Sequence, residues 1–70
     1  MAKLSKDEIE KILFNTLKEK TDIELKESEK VMVEYYENSN VEGLLDEMIK
    51  ISNNALVKTL AEVLDKIINE

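Results

Sequence analysis

The sequence predicts an all-α fold, a small bundle of three helices, or of four if the last helix is divided near Ser52 to Asn54. Apolar residues recur at helical spacing along most of the chain, and residue patterns that begin helices occur at three places. The chain has no proline and a single glycine, so few positions oppose a helix. Its 70 residues are enough for one small domain, residues 1–70.

A first helix is predicted over residues 6–20. Ser5 and Glu8 have the spacing of a capping box, in which each side chain satisfies a free backbone N–H of the first turn. The apolar arc of this segment then predicts one face directed at a core, and Phe14 lies at the edge of that arc. The arc consists of Ile9, Ile12, Leu13 and Leu17.

A second helix is predicted over residues 22–37, because Thr21 and Glu24 repeat the capping pattern. Residues 23–36 also fit a β-hairpin, since apolar and charged residues alternate in part of this segment. The helix is favoured because no Gly, Asn or Pro in residues 26–30 marks a hairpin turn.

A loop is predicted over residues 38–40, followed by a long helix over residues 41–69. Asn38, Ser39 and Asn40 are three turn-prone residues in succession, and Ser39 with Glu42 forms a third capping pattern. The polar residues Ser52–Asn54 interrupt the apolar pattern of the long helix. One continuous helix is favoured over a fourth helix capped by Asn53 or Asn54, because Ser and Asn weaken a helix without forbidding it.

The last sixteen residues carry apolar side chains in adjacent pairs, which form two stripes on a helix. Two stripes indicate two neighbours, and the second neighbour is predicted to be another copy of the chain, most simply in a dimer. The alternative is the central helix of a monomeric bundle, which has the same pattern. The predicted oligomer interface consists of Leu56, Val57, Leu60, Ala61, Val63, Leu64, Ile67 and Ile68.

Acidic residues are concentrated in the middle of the chain. Residues 22–47 hold nine acids and two lysines, a net charge of −7, whereas the whole chain has a net charge of −6. This surface repels nucleic-acid phosphates, so direct nucleic-acid binding is not expected, while a basic protein partner is permitted. The predicted site for that partner is the aromatic pair with its acidic rim, Glu34, Tyr35, Tyr36 and Glu37, although one tyrosine packed inward and a merely solvated acidic surface would give the same pattern.

The chain contains no His, Cys or Arg, so the commonest general base, strong nucleophile and phosphate clamp are missing. We expect no enzymatic activity, no cofactor and no metal. Without a signal-like or membrane-spanning segment, the sequence predicts a cytoplasmic protein that does not bind membranes. The predicted function is a protein–protein interaction module that self-associates through its C-terminal helix, as an accessory, scaffold or regulatory subunit. The alternative is an acidic inhibitor that mimics nucleic acid and occupies the basic groove of a nucleic-acid-processing protein.

Overall fold

A computed structural model of the chain, which describes residues 4–69, consists of two long α-helices joined by a tight turn. Helix α1 is Lys6–Glu37 and helix α2 is Val41–Ile68. The helices run antiparallel and pack side by side. Interhelical ion pairs fix the register, since Lys20 contacts Glu62 and Glu24 contacts Lys58, each at 3.0 Å. The fold is therefore a helical hairpin.

The predicted all-α class is confirmed, but the predicted bundle of three or four helices is wrong. Residues 6–20 and 22–37, assigned to separate helices, lie in the single helix α1. Thr21 does not act as a cap, because its hydroxyl donates to the backbone carbonyl of Leu17 at 2.7 Å, one turn back in the same helix. With no Gly or Pro between residues 6 and 37, nothing in the backbone forces a break there.

Helix α2 runs without interruption through Ser52–Asn54. The β-hairpin alternative for residues 23–36 is wrong as well, since that segment is helical throughout. Ser5 begins α1 as its N-cap, and both hydrogen bonds of the capping box with Glu8 are present at 3.2 Å.

The turn between the helices ends α1 and caps the start of α2. Ser39 has the left-handed φ of 53°, and its N–H donates to the carbonyl of Tyr36 at 3.1 Å, while the N–H of Asn40 donates to Tyr35 at 2.8 Å. These two bonds form the Schellman motif that ends α1. The side chain of Asn40 then accepts from the N–H of Gly43 at 2.9 Å, which caps α2.

Gly43 allows the start of α2 to approach the last turn of α1 closely. A Cβ at this position would lie 2.8 Å from the ring of Tyr35 and 2.7 Å from the side-chain nitrogen of Asn40. Any larger residue would have to displace the ring or the cap. The compact turn therefore depends on the absence of a side chain at position 43.

The side chains packed between the two helices form the seam of the hairpin. On each helix these residues are spaced by four, so the contact follows one i, i+4 row of side chains. On α1 the row contains mostly polar or small residues, and on α2 it contains the best-buried residues of the molecule. The seam consists of Ile12, Thr16, Lys20, Glu24, Ser28 and Met32 on α1 and of Ile51, Ala55, Thr59 and Val63 on α2.

The hairpin is elongated. Its dimensions are 54 × 19 × 15 Å and its radius of gyration is 15.6 Å, whereas a compact domain of this length has roughly 11 Å. The accessible surface is 5851 Å², against roughly 4,500 Å² for a compact monomer of the same mass. No helix within residues 4–69 is long and apolar enough to cross a membrane.

Candidate interaction surface

One side of the hairpin, beside the seam, presents a mainly apolar row of side chains from each helix. Because helical residues turn about 100° each, the i, i+4 row next to the seam row lies on one flank of its helix. Leu13 and Leu17 of α1 line the same groove as Leu56 and Leu60 of α2, so the two rows share one face. This apolar face consists of Ile9, Leu13, Leu17 and Leu25 on α1 and of Leu44, Met48, Leu56, Leu60, Leu64 and Ile68 on α2.

The residues of the apolar face are far from buried within one chain. Leu56 is 44% exposed, and Leu60 and Leu64 are each 52% exposed. By contrast, Ala55 in the seam is completely buried. Contiguous apolar patches of this kind on a soluble protein mark surfaces that contact another molecule.

The opposite flank of α2 is polar at every described position of its row. That row contains Asp46, Lys50, Asn54, Lys58, Glu62 and Lys66. Two of these residues, Lys58 and Glu62, make the interhelical ion pairs with α1. Helix α2 thus has an apolar flank on one side of the seam and a charged flank on the other, which is the arrangement of an amphipathic helix.

Glu24 is the one carboxylate that the hairpin buries in its seam. The ammonium of Lys58 donates to it at 3.0 Å. That hydrogen bond lowers the pKa of the Glu24 carboxyl below its ordinary value, against the opposite effect of burial, and a further hydrogen bond with Asn54 acts in the same direction as Lys58. The seam is therefore held in register partly by a charge pair.

The residues predicted as an oligomer interface divide among three rows of α2. Leu56, Leu60, Leu64 and Ile68 lie on the apolar face, Val57 and Ala61 point away from α1, and Val63 and Ile67 belong to the seam row. Val63 is only 2% exposed, so it is not available to a partner.

Neither of the two predicted stripes coincides with the surface that packs on α1, although Val63 and Ile67 of one stripe lie in the seam row. The seam follows a different row, Ile51–Ala55–Thr59, which includes a threonine and an alanine. The seam row was not predicted because the contact surface of α2 was chosen by hydrophobicity alone. Close approach of two helices instead favours small side chains, whatever their polarity.

Sequence analysis also missed the contribution of α1 to the apolar face. Leu13 and Leu17 were assigned to a core, but both are only half-buried and border the groove shared with α2. The signal was present, since Ile9, Leu13, Leu17 and Leu25 share one i, i+4 row with Thr21. This row could be assigned to the apolar face only after the position of the seam row was known.

The predicted partner-binding residues lie around the turn. Tyr35 is half-buried and its ring packs against Gly43, while Tyr36 is 77% exposed. Glu34 and Glu37 are exposed beside them. The structure thus places one tyrosine inward and the other at the surface.

The hairpin concentrates its negative charge at the turn end. The half of the rod that contains the turn, called the turn half, comprises residues 21–55, which hold nine acids and three lysines, a net charge of −6. The other half, called the open half, comprises residues 6–20 and 56–69 and has six lysines and six acids. The rod is therefore electrically polar along its length.

Within residues 4–69, no group of three or more acidic side chains is arranged to hold a metal ion. Comparison of the chain with protein-family models, with curated proteins and with solved structures gave no match.

Proposed function

We propose that this chain is a non-catalytic interaction module of the cytoplasm that self-associates through its apolar face and serves as an accessory, scaffold or regulatory subunit. The observation that supports the proposal best is the distribution of large and small side chains between the surface and the seam. Large leucines lie at the surface on one face, while the seam of the hairpin holds Ala55, Thr59 and Glu24. Such a chain still presents a large apolar area that a partner can remove from water.

The dimensions of the hairpin favour a dimer built face to face. A 54 × 19 Å face would remove about 1,000 Å² per copy, and about 2,000 Å² in total, which reaches the size class of permanent dimers. Two hairpins stacked in this way make a four-helix bundle, the usual means by which amphipathic helix pairs cover their apolar sides. A second copy also supplies the same leucine-rich surface in return, as two-fold symmetry requires.

Sedimentation equilibrium of the wild-type chain tests the proposal directly. We expect a species of about twice the chain mass of 8.1 kDa, with a mass that falls on dilution. Leu60→Glu places a charge at the centre of the apolar face and should yield a monomer.

Ala61→Glu is the matched control for this experiment. It adds the same charge one residue away, on the exposed row that points away from α1, and should leave the mass unchanged. A wild-type chain that remains at 8.1 kDa at all usable concentrations would contradict the proposal. Equal loss of mass in both variants would count against this face as the interface. Circular dichroism of each sample separates loss of association from loss of helix.

A further inference from the structure

We propose that two copies pair antiparallel, with their turns at opposite ends of the dimer. This inference rests on the proposed self-association and specifies its geometry. It follows from two features of the hairpin that vary along its length, the charge and the density of large apolar side chains.

The apolar face is richest in the open half of the rod. There it contains an uninterrupted set of large side chains, Ile9, Leu13, Leu17, Leu56, Leu60 and Leu64. Towards the turn the same rows are interrupted by Thr21, Glu29 and Ser52. The open halves are therefore the parts of the two copies that gain most by covering each other.

Apolar burial alone permits two arrangements. In a parallel pair, the open halves overlap and the turns lie side by side. In an antiparallel pair, the turns point in opposite directions. The rods are then either superposed along their full length, with each open half beside the partner's turn half, or staggered outward so that the open halves overlap. Both arrangements can be two-fold symmetric, so symmetry does not distinguish them.

Charge distinguishes the two arrangements. The parallel pair would bring two turn halves, each with a net charge of −6, to within the spacing of adjacent helices, about 10 Å. That distance is close to the screening length at physiological salt, about 8 Å, so the repulsion is only partly screened. The antiparallel pair separates the acidic halves and, where the rods superpose, places each beside the open half of its partner.

Exposed acids of the turn half, such as Glu34 and Glu37, leave most of that repulsion uncompensated within one chain. Within residues 4–69, one interhelical ion pair reaches this half, between Glu24 and Lys58 of the open half. The lysines of the turn half itself are Lys26, Lys30 and Lys50.

A distance measurement between the two turns tests the orientation. The chain has no cysteine, so Val41→Cys introduces a single site for a nitroxide spin label. Val41 is suitable because it is uncharged, 65% exposed and the first residue of α2. Pulsed electron–electron double resonance on the labelled dimer should give a distance between the two labels of about 50 Å or more, set by the 54 Å length of the rod.

The outcomes separate this inference from the proposed function. A dimer with a label-to-label distance below about 25 Å, as expected for neighbouring helices, would overturn the antiparallel arrangement and leave self-association intact. A labelled chain that sediments as a monomer, alongside a monomeric wild type, would overturn both. If the label alone dissociates the dimer, Asn38→Cys, at the exposed end of α1, provides a second site with the same expected distance.

Discussion

The seam between α1 and α2 holds smaller and more polar side chains than the apolar face that lies beside it. Ala55 and Thr59 are buried at the seam, whereas Leu56 and Leu60, each the next residue in sequence, are about half exposed. Small residues let two helices approach closely, while large ones supply the area that hydrophobic burial requires. The hairpin therefore brings its helices close together at the seam and leaves much of the leucine surface of α2 exposed.

The largest expected effect is a loss of stability when a larger side chain is placed at the most buried position of the seam. Ala55 is completely buried, so Ala55→Leu should force the helices apart and lower the free energy of unfolding by about 2–3 kcal/mol. Ala61→Leu adds the same side chain at an exposed position of α2 and should change stability little. Urea denaturation followed by circular dichroism, at one fixed protein concentration, measures both. Equal effects would show that the seam is not the tight contact described.

A smaller loss is expected at the turn. Gly43→Ala gains helix propensity, but its Cβ would lie 2.8 Å from the Tyr35 ring. We expect the contact to prevail, with a net destabilisation of about 1 kcal/mol.

A double-mutant cycle checks the cause of that loss. In a Tyr35→Ala background the ring is gone, while the 2.7 Å contact with the Asn40 side chain remains, so Gly43→Ala should destabilise this background less than it destabilises the wild type. If the alanine destabilises both backgrounds equally, the ring is not responsible. Thermal unfolding of the four proteins provides the comparison.

A gain in stability is expected from removing a buried polar atom in the seam. The Thr59 hydroxyl is buried and has no hydrogen-bond partner among residues 4–69. Thr59→Val keeps the shape and removes that atom, and should stabilise the hairpin by about 1 kcal/mol.

Thr21→Val is the control for Thr59→Val. The Thr21 hydroxyl donates to the Leu17 carbonyl at 2.7 Å, so its removal should bring no comparable gain. A similar stabilisation in both variants would mean that β-branched hydrophobicity, and not the unpaired hydroxyl, is the cause.

The smallest expected effect is a dependence on pH at the ion pair of the seam. Because the pKa of Glu24 is lowered in the folded chain, its contribution to stability is present at neutral pH and is lost as the pH falls through that lowered value. Glu24→Gln should make stability less sensitive to acid over this range. Glu10→Gln, which removes an exposed carboxylate outside the pair, is the control. An unchanged acid profile in Glu24→Gln would exclude the ion pair as a source of stability.

Much of the local structure could be predicted from the sequence. The first helix begins at the predicted Ser5 cap, the turn falls at the predicted residues 38–40, and α2 is continuous as favoured. These features depend on contacts within a few residues, which short sequence patterns encode.

The number of helices could not be predicted in the same way. Thr21 and Glu24 satisfy the capping pattern, but Glu24 is bonded to Lys58, thirty-four residues away. A cap and a seam residue have the same local sequence, and the distant partner decides between them.

The sequence alone determined that this chain is helical, acidic towards its turn and rich in apolar side chains near its C-terminus. Only the tertiary structure decided which row of α2 faces α1, and hence that Leu56, Leu60 and Leu64 remain exposed while Thr59 is buried. The physical reason is that neighbouring rows on a helix differ by about 100° of rotation. Burial depends on that rotation, which is set by contacts between residues far apart in the sequence and not by local patterns.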